Sequence, residues 1–347
     1  MKISDGTKKI LNDPKKIEYR DRWFARLQQV FSGNEYEKVM TIKGISGRAD
    51  DNMLLYSNPE KWVIESLENL AEQIEECGSD IQFIPPCIEP GVYGVHFIDS
   101  IFGSHVYYEK NVEQWYNDSI NTEVGSLQFP DLEKSEAWNM ATRAAREFLR
   151  QEVALPLFGL PTIASSLVVA VNLYGESILT EMLDEPTNAI HDFSVINNTL
   201  AEIHCWYRAI LPENQLQPVV AHERTQPPGY GQICGCTSQL ISAKTYETQI
   251  SALDNELLGV YPKGGMMHLC GTHEHLIPSL RSMENLKAIQ VNDRAAHDLK
   301  LYFEGLRDDQ IIYLNPCQGM SIEKAMEITG GRRLVIIDRL NTPLAMR

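Results

Sequence analysis

Between Glu60 and Cys77 the apolar residues return with the period of a helix, placing Trp62, Val63, Leu67, Leu70 and Ile74 on one face. The section from Ile81 to Tyr108 is punctuated by Pro and Gly and carries three short strand-like runs, IQFIP, GVHFI and SHVYY. Further on, strand-like and helix-like segments alternate. Val153–Leu160 and Pro218–Glu223 read as strands, with a long helix predicted over Pro186–Ile210 between them. Met266–Cys270, Leu286–Asn292, Gln310–Pro316 and Arg333–Asp338 follow as short apolar strands, each separated by a helical pattern. That alternation predicts βαβ units and a parallel sheet. About eight strands suit a closed (β/α)8 TIM barrel over residues 51–347, preceded by a polar, mixed extension over 1–50 that is expected to form helices and loops. An open doubly wound sheet is the alternative, and the sequence carries no GxGxxG or P-loop after any of these strands to support it.

Composition changes this picture little. The 347 residues are 43% hydrophobic and 22% charged, as in an ordinary soluble protein. Lys plus Arg number 31 against 47 Asp plus Glu, a formal net charge of −16 that disfavours nucleic acid and anionic membranes as partners. The one uncharged run long enough to span a bilayer, Val153–Gly175, is broken by Pro156 and Pro161 and reads as a strand, a loop and a buried helix. The start of the chain has no apolar segment of a secretory signal, and seven cysteines in a chain of this length read as reduced thiols in the cytoplasm.

Candidate chemistry concentrates in GGMMHLCG. His268 and Cys270 are two apart, so in a strand both side chains project from one face. At the C-terminal mouth of a barrel strand, an imidazole and a thiolate are two ligands of a tetrahedral zinc site. The run IIYLNPCQGM delivers Cys317 at the end of a later strand, on the expected same rim, as a third ligand. Cys234 and Cys236, in YGQICGCTS, are its rivals. Zinc with two thiolates and a neutral imidazole is formally neutral; a thiol in the fourth position would be activated as a nucleophile, a water for hydrolysis.

Other residues at predicted strand ends are weaker candidates. His222 and Glu223, after QPVVA, are placed at the mouth as catalytic groups. Asn292 and Asp293 follow AIQV, where they could contact cofactor or act in catalysis, or instead cap the next helix. Tyr93, His96 and Asp99 are read along a short strand, with Tyr93 and His96 lining the cofactor or substrate pocket; Tyr230, in PPGYG, is read as part of a lid. His273, Glu274 and His275 are expected to begin a helix facing solvent, and Cys77, Cys87 and Cys205 to be packing residues.

The HxC…C arrangement, the phrase LNPCQGMSIEKAMEI and the stretch from about Leu157 to Leu211 resemble the uroporphyrinogen decarboxylase superfamily, and within it the zinc-dependent, corrinoid-linked methyltransferases. The resemblance implies a TIM barrel, zinc on His268, Cys270 and Cys317, and methyl transfer between a corrinoid such as methylcobalamin, carried by a partner protein, and a thiol or other small acceptor. No RQAGR-like motif of the decarboxylases is present, which sets porphyrinogen decarboxylation behind. A lyase acting on a smaller carboxylic acid and a non-catalytic zinc- or corrinoid-binding barrel are the alternatives.

Overall fold

The computed structural model describes residues 1–33, 40–42, 46–47, 49, 51, 53–76, 86–217 and 224–337. Its strands in chain order are β1 (Met40–Ile42), β2 (Ser46–Gly47), β3 (Cys87–Ile88), β4 (Val106–Glu109), β5 (Gln114–Asn117), β6 (Leu157–Gly159), β7 (Leu216–Gln217), β8 (Gly231–Cys234), β9 (Gly265–Cys270), β10 (Leu286–Asn292), β11 (Ile311–Leu314) and β12 (Leu334–Ile337). A six-stranded sheet has the order β1-β12-β11-β10-β9-β8 and a four-stranded sheet the order β2-β3-β6-β7. Every pairing within these two sheets is parallel. The protein is therefore a mixed α/β fold with parallel sheets, as the alternating pattern predicts. A separate antiparallel hairpin, β4–β5, accounts for the run SHVYY.

The predicted helix at Pro186–Ile210 forms over those residues, with proline in its first turn, where a missing N–H costs nothing. The helix predicted from Glu60 runs Pro59–Glu76 and buries Trp62, Val63, Leu67, Leu70 and Ile74 as expected. Val153–Gly175 contains β6, a loop and the buried helix Ser166–Tyr174, whose Ser165 side chain caps the first turn. Among the described residues no helix is long and apolar enough to cross a membrane.

Both sheets contribute to an apolar cluster that also takes in the helix Pro14–Phe31. Cys87 and Leu157 come from the four-stranded sheet, and Met266, Ala288, Ile311, Tyr313, Val335 and Ile337 from the six-stranded one. Trp23, Phe24, Leu27 and Phe31 of the helix pack among them near the N-terminal ends of the strands. Burying each such side chain contributes about 2 kcal/mol. Arg20 of the same helix is 1% exposed and donates to the carbonyls of Ala154 and Leu155, which fastens the helix to the chain entering β6.

GVHFI is not a strand: Gly94–His96 is a 3-10 turn and Phe97–Ile101 a short helix, because Tyr93 adopts a left-handed φ of 54° and turns the chain. Tyr93, His96 and Asp99 thus relate by helical rather than strand spacing. Of the predicted strand Pro218–Glu223, all six residues lie outside the described residues, as do IQFI and Cys77. Cys87 is buried as expected, whereas Cys205 is exposed.

Candidate metal centre

The strand period builds the site. Met266, Ala288, Ile311 and Tyr313 point into the internal cluster, so residues two and four positions further along each strand project on the same side. Those residues turn polar: His268 and Cys270 on β9, Gln290 and Asn292 on β10, Asn315 and Cys317 beyond β11. From Tyr230, which is in the same cluster, the row continues through Gln232 and Cys234 of β8. One face thus changes from apolar at the strand starts to polar and sulfur-bearing at the strand ends.

Register then decides which of these side chains meet. Strands β8 and β9 pair with Cys234 opposite His268, and the Gly235 N–H donates to the His268 carbonyl at 2.9 Å just past the end of β8. Cys234, Cys236 and His268 bring two sulfurs and an imidazole nitrogen within 4.8 Å of one another. In an extended strand, side chains two apart stand about 7 Å from each other. Here Sγ of Cys234 and Cys236 are 3.4 Å apart, because Gly235 leaves the extended region, with φ −110° and ψ 17°. A β-carbon at 235 would stand 2.8 Å from Sδ of Met267, so a larger residue there would have to displace that side chain.

Cys270 borders this group. The Cys236 thiol hydrogen-bonds to the sulfurs of both Cys234 and Cys270, which lowers the pKa of those two thiols and raises its own. The guanidinium of Arg224 acts in the same direction on Cys234 and Cys270. Burial, and then Arg224, hold His268 well below the ordinary histidine range, so its ring is neutral and offers a lone pair. The His268 Nδ1 faces Oε1 of Gln290, its register partner on β10, and Gln290 Nε2 in turn donates to Asn315 Oδ1 at 2.6 Å. With Nδ1–H donated to the amide oxygen, Nε2 is the ring nitrogen left with a lone pair to offer. Gln290→Leu is expected to weaken zinc binding by about 10- to 100-fold without unfolding the protein, as measured by competition with a chromophoric chelator.

The remaining predicted site residues are spread around this group. Cys317 follows β11, two strands from β9 and therefore about 10 Å away by sheet spacing; its thiol donates to the Asp293 carbonyl at 3.7 Å. The side chains whose donor atoms converge closely enough to hold a metal are Cys234, at the end of the adjacent strand, Cys236 just beyond it, and His268. Asn292 is opposite Cys270, with its buried Oδ1 unpartnered among the described residues, and Asp293 begins the helix Asp293–His297 in a left-handed conformation, φ 47°. His96 Nδ1 and Asp99 Oδ2 are 2.7 Å apart after the end of β3, and the Tyr93 ring packs on Tyr56 and Trp115. Tyr230 is not a lid: it precedes β8, at the opposite end of that strand from Cys234, with its ring buried against Phe31 and its hydroxyl bonded to Gln28. His222 and Glu223 lie outside the described residues.

Three contributions escape the sequence reading. Gln290 and Asn315 are amides in otherwise apolar strand ends, and only their register with His268 reveals an orienting pair. Arg224 is legible only once the fold brings it beside the thiols. His273, expected in solvent, is fully buried, with Nε2 3.2 Å from the Cys236 carbonyl, where it supports the loop that presents the sulfur.

No family model matches this sequence, nor does any curated protein. Among solved structures, the fold is similar to that of a methyltransferase from Methanosarcina mazei. The TM-score is 0.62 at 11% sequence identity, and the match covers 93% of this chain and 94% of that chain. At this identity the likeness is one of fold.

Proposed function

We propose that the chain is a zinc-dependent methyltransferase whose two parallel sheets are parts of one closed (β/α)8 barrel, with the metal at the C-terminal mouth. The observation that carries this reading is the convergence of Cys234, Cys236 and His268 within 4.8 Å at adjacent strand ends. The shared apolar cluster, filled from both sheets, supports closure. Support for the reaction class comes from the fold likeness to a methyltransferase and from the sequence resemblance to the corrinoid-linked branch.

The donor set suits zinc: two thiolates and a neutral imidazole balance its charge and leave one position for a substrate. Zinc held there supplies a Lewis acid that lowers the pKa of a bound thiol while leaving it nucleophilic. In this reading Gln290 fixes the imidazole through Nδ1, Arg224 offsets the negative charge gathered on the sulfurs, and Cys270 hydrogen-bonds beside them. The site would present an acceptor sulfur to an incoming methyl group, and the carbon–cobalt chemistry would belong to a corrinoid donor.

The test uses zinc-loaded protein with free methylcobalamin and a short thiol such as 2-mercaptoethanol. Methyl thioether is expected together with the spectrum of demethylated corrinoid, and both are expected to disappear in His268→Ala. Absence of transfer to every thiol tried, at full zinc occupancy, would overturn the methyltransferase reading and leave a metal-binding barrel.

A further inference from the structure

Three thiols occupy one corner of the molecule. Cys234 and Cys236 are already in sulfur–sulfur contact at 3.4 Å, and both residues are partly exposed. A disulfide needs the sulfurs at about 2.05 Å and the α-carbons within about 7 Å, so closing this pair asks for side-chain rotation and a small backbone movement. Gly235 is the hinge that allows it, since the segment is bent between the two cysteines and leaves regular strand structure there. Cys236 opens a short 3-10 segment, Cys236–Leu240, outside the sheet, whereas Cys234 ends the paired strand β8.

We propose that Cys234 and Cys236 form a redox-modification site that closes to a disulfide on reaction with a low-molecular-weight disulfide. The chemistry is a pair of exchanges. The Cys234 sulfur attacks one sulfur of the small disulfide, forming a mixed disulfide and expelling one small thiolate. The Cys236 sulfur then attacks Sγ of Cys234, forming the internal disulfide and expelling the second. Two protein thiols are oxidised, one small disulfide is reduced to two thiols, and the two protons pass to the departing thiolates. Two of the three proposed metal ligands are consumed, so closure and metal binding exclude each other. The disulfide stands on the sulfur geometry alone; only its consequence for metal rests on the zinc reading.

The experiment treats the full-length reduced protein, with and without one equivalent of zinc, with oxidised glutathione. Intact mass, peptide mapping of the disulfide and zinc released to a chromophoric chelator are followed. The expected result is loss of two hydrogens, a Cys234–Cys236 linkage, one zinc released per disulfide, and full reversal by dithiothreitol plus zinc. Cys205→Ser and Cys317→Ser leave this unchanged, whereas Cys236→Ser stops at a glutathione adduct on Cys234. Adducts confined to Cys205 or Cys317, or a disulfide mapped to Cys270, would overturn the proposal. Formation of the Cys234–Cys236 disulfide in protein that never binds zinc would uphold the modification site and remove the metal reading instead.

Discussion

His268→Ala is expected to lower zinc affinity by at least about a hundredfold, and Cys234→Ser to do the same, while Cys317→Ser leaves it unchanged. The magnitude follows from sharing a binding free energy of roughly 10–16 kcal/mol among about four ligands, which gives ~3 kcal/mol for each. The contrast among the three variants follows from sheet order. His268 and Cys234 face each other across neighbouring strands, whereas Cys317 is beyond β11, bonded to the Asp293 carbonyl. Chelator competition on the three purified variants checks the ordering. Equal losses in His268→Ala and Cys317→Ser would restore the ligand set suggested by the sequence resemblance.

Gly265→Ala carries the second large effect, and it reaches the site through the backbone. A β-carbon at 265 would stand 2.4 Å from the Gly231 carbonyl oxygen, at the start of the β8–β9 pair. That neighbour is backbone, so it can yield only if the two strands separate. Overpacking of this kind costs about 3 kcal/mol. Separation at Gly231 and Gly265 also disturbs the register three residues on, where Cys234 faces His268. Loss of stability in urea unfolding is therefore expected together with weaker zinc binding. Gly91→Ala serves as the control: nothing is within 4 Å of its built β-carbon, and a change of no more than about 0.5 kcal/mol is expected. Full stability in Gly265→Ala would show that the two strands are not held as closely as described.

Most of the strands that build the site were legible because each is a short apolar run bounded by glycine, proline or a polar turn. Met266–Cys270 and Leu286–Asn292 show this plainly, and β9 and β10 form at those positions. His268 and Cys270 were legible as a pair for the same reason, since period two puts both on one face. Their partner was not. Whether Cys317 or Cys234 meets His268 depends on which strand is hydrogen-bonded to β9, and strand order is a property of the whole chain, invisible in local pattern. Gln290 shows the same limit: its neighbour His268 is 22 residues away in sequence and directly opposite in the sheet. The misread run GVHFI failed for a local reason. Its alternation imitates a strand, but left-handed Tyr93, followed by Gly94 at φ 58°, starts a turn, and the His96–Asp99 bond spans the helical interval of three.

In the proposed zinc site, sulfur from the Cys-Gly-Cys segment and nitrogen from His268 hold one metal ion. X-ray absorption at the zinc edge tests it most directly. Sulfur neighbours at about 2.3 Å and nitrogen at about 2.0 Å are expected in the zinc-loaded protein. The sulfur signal should be lost when Cys234 and Cys236 are both serine, and kept in Cys317→Ser. Sulfur coordination that survives in the double variant, or a shell of oxygen and nitrogen alone in the native protein, would contradict the account.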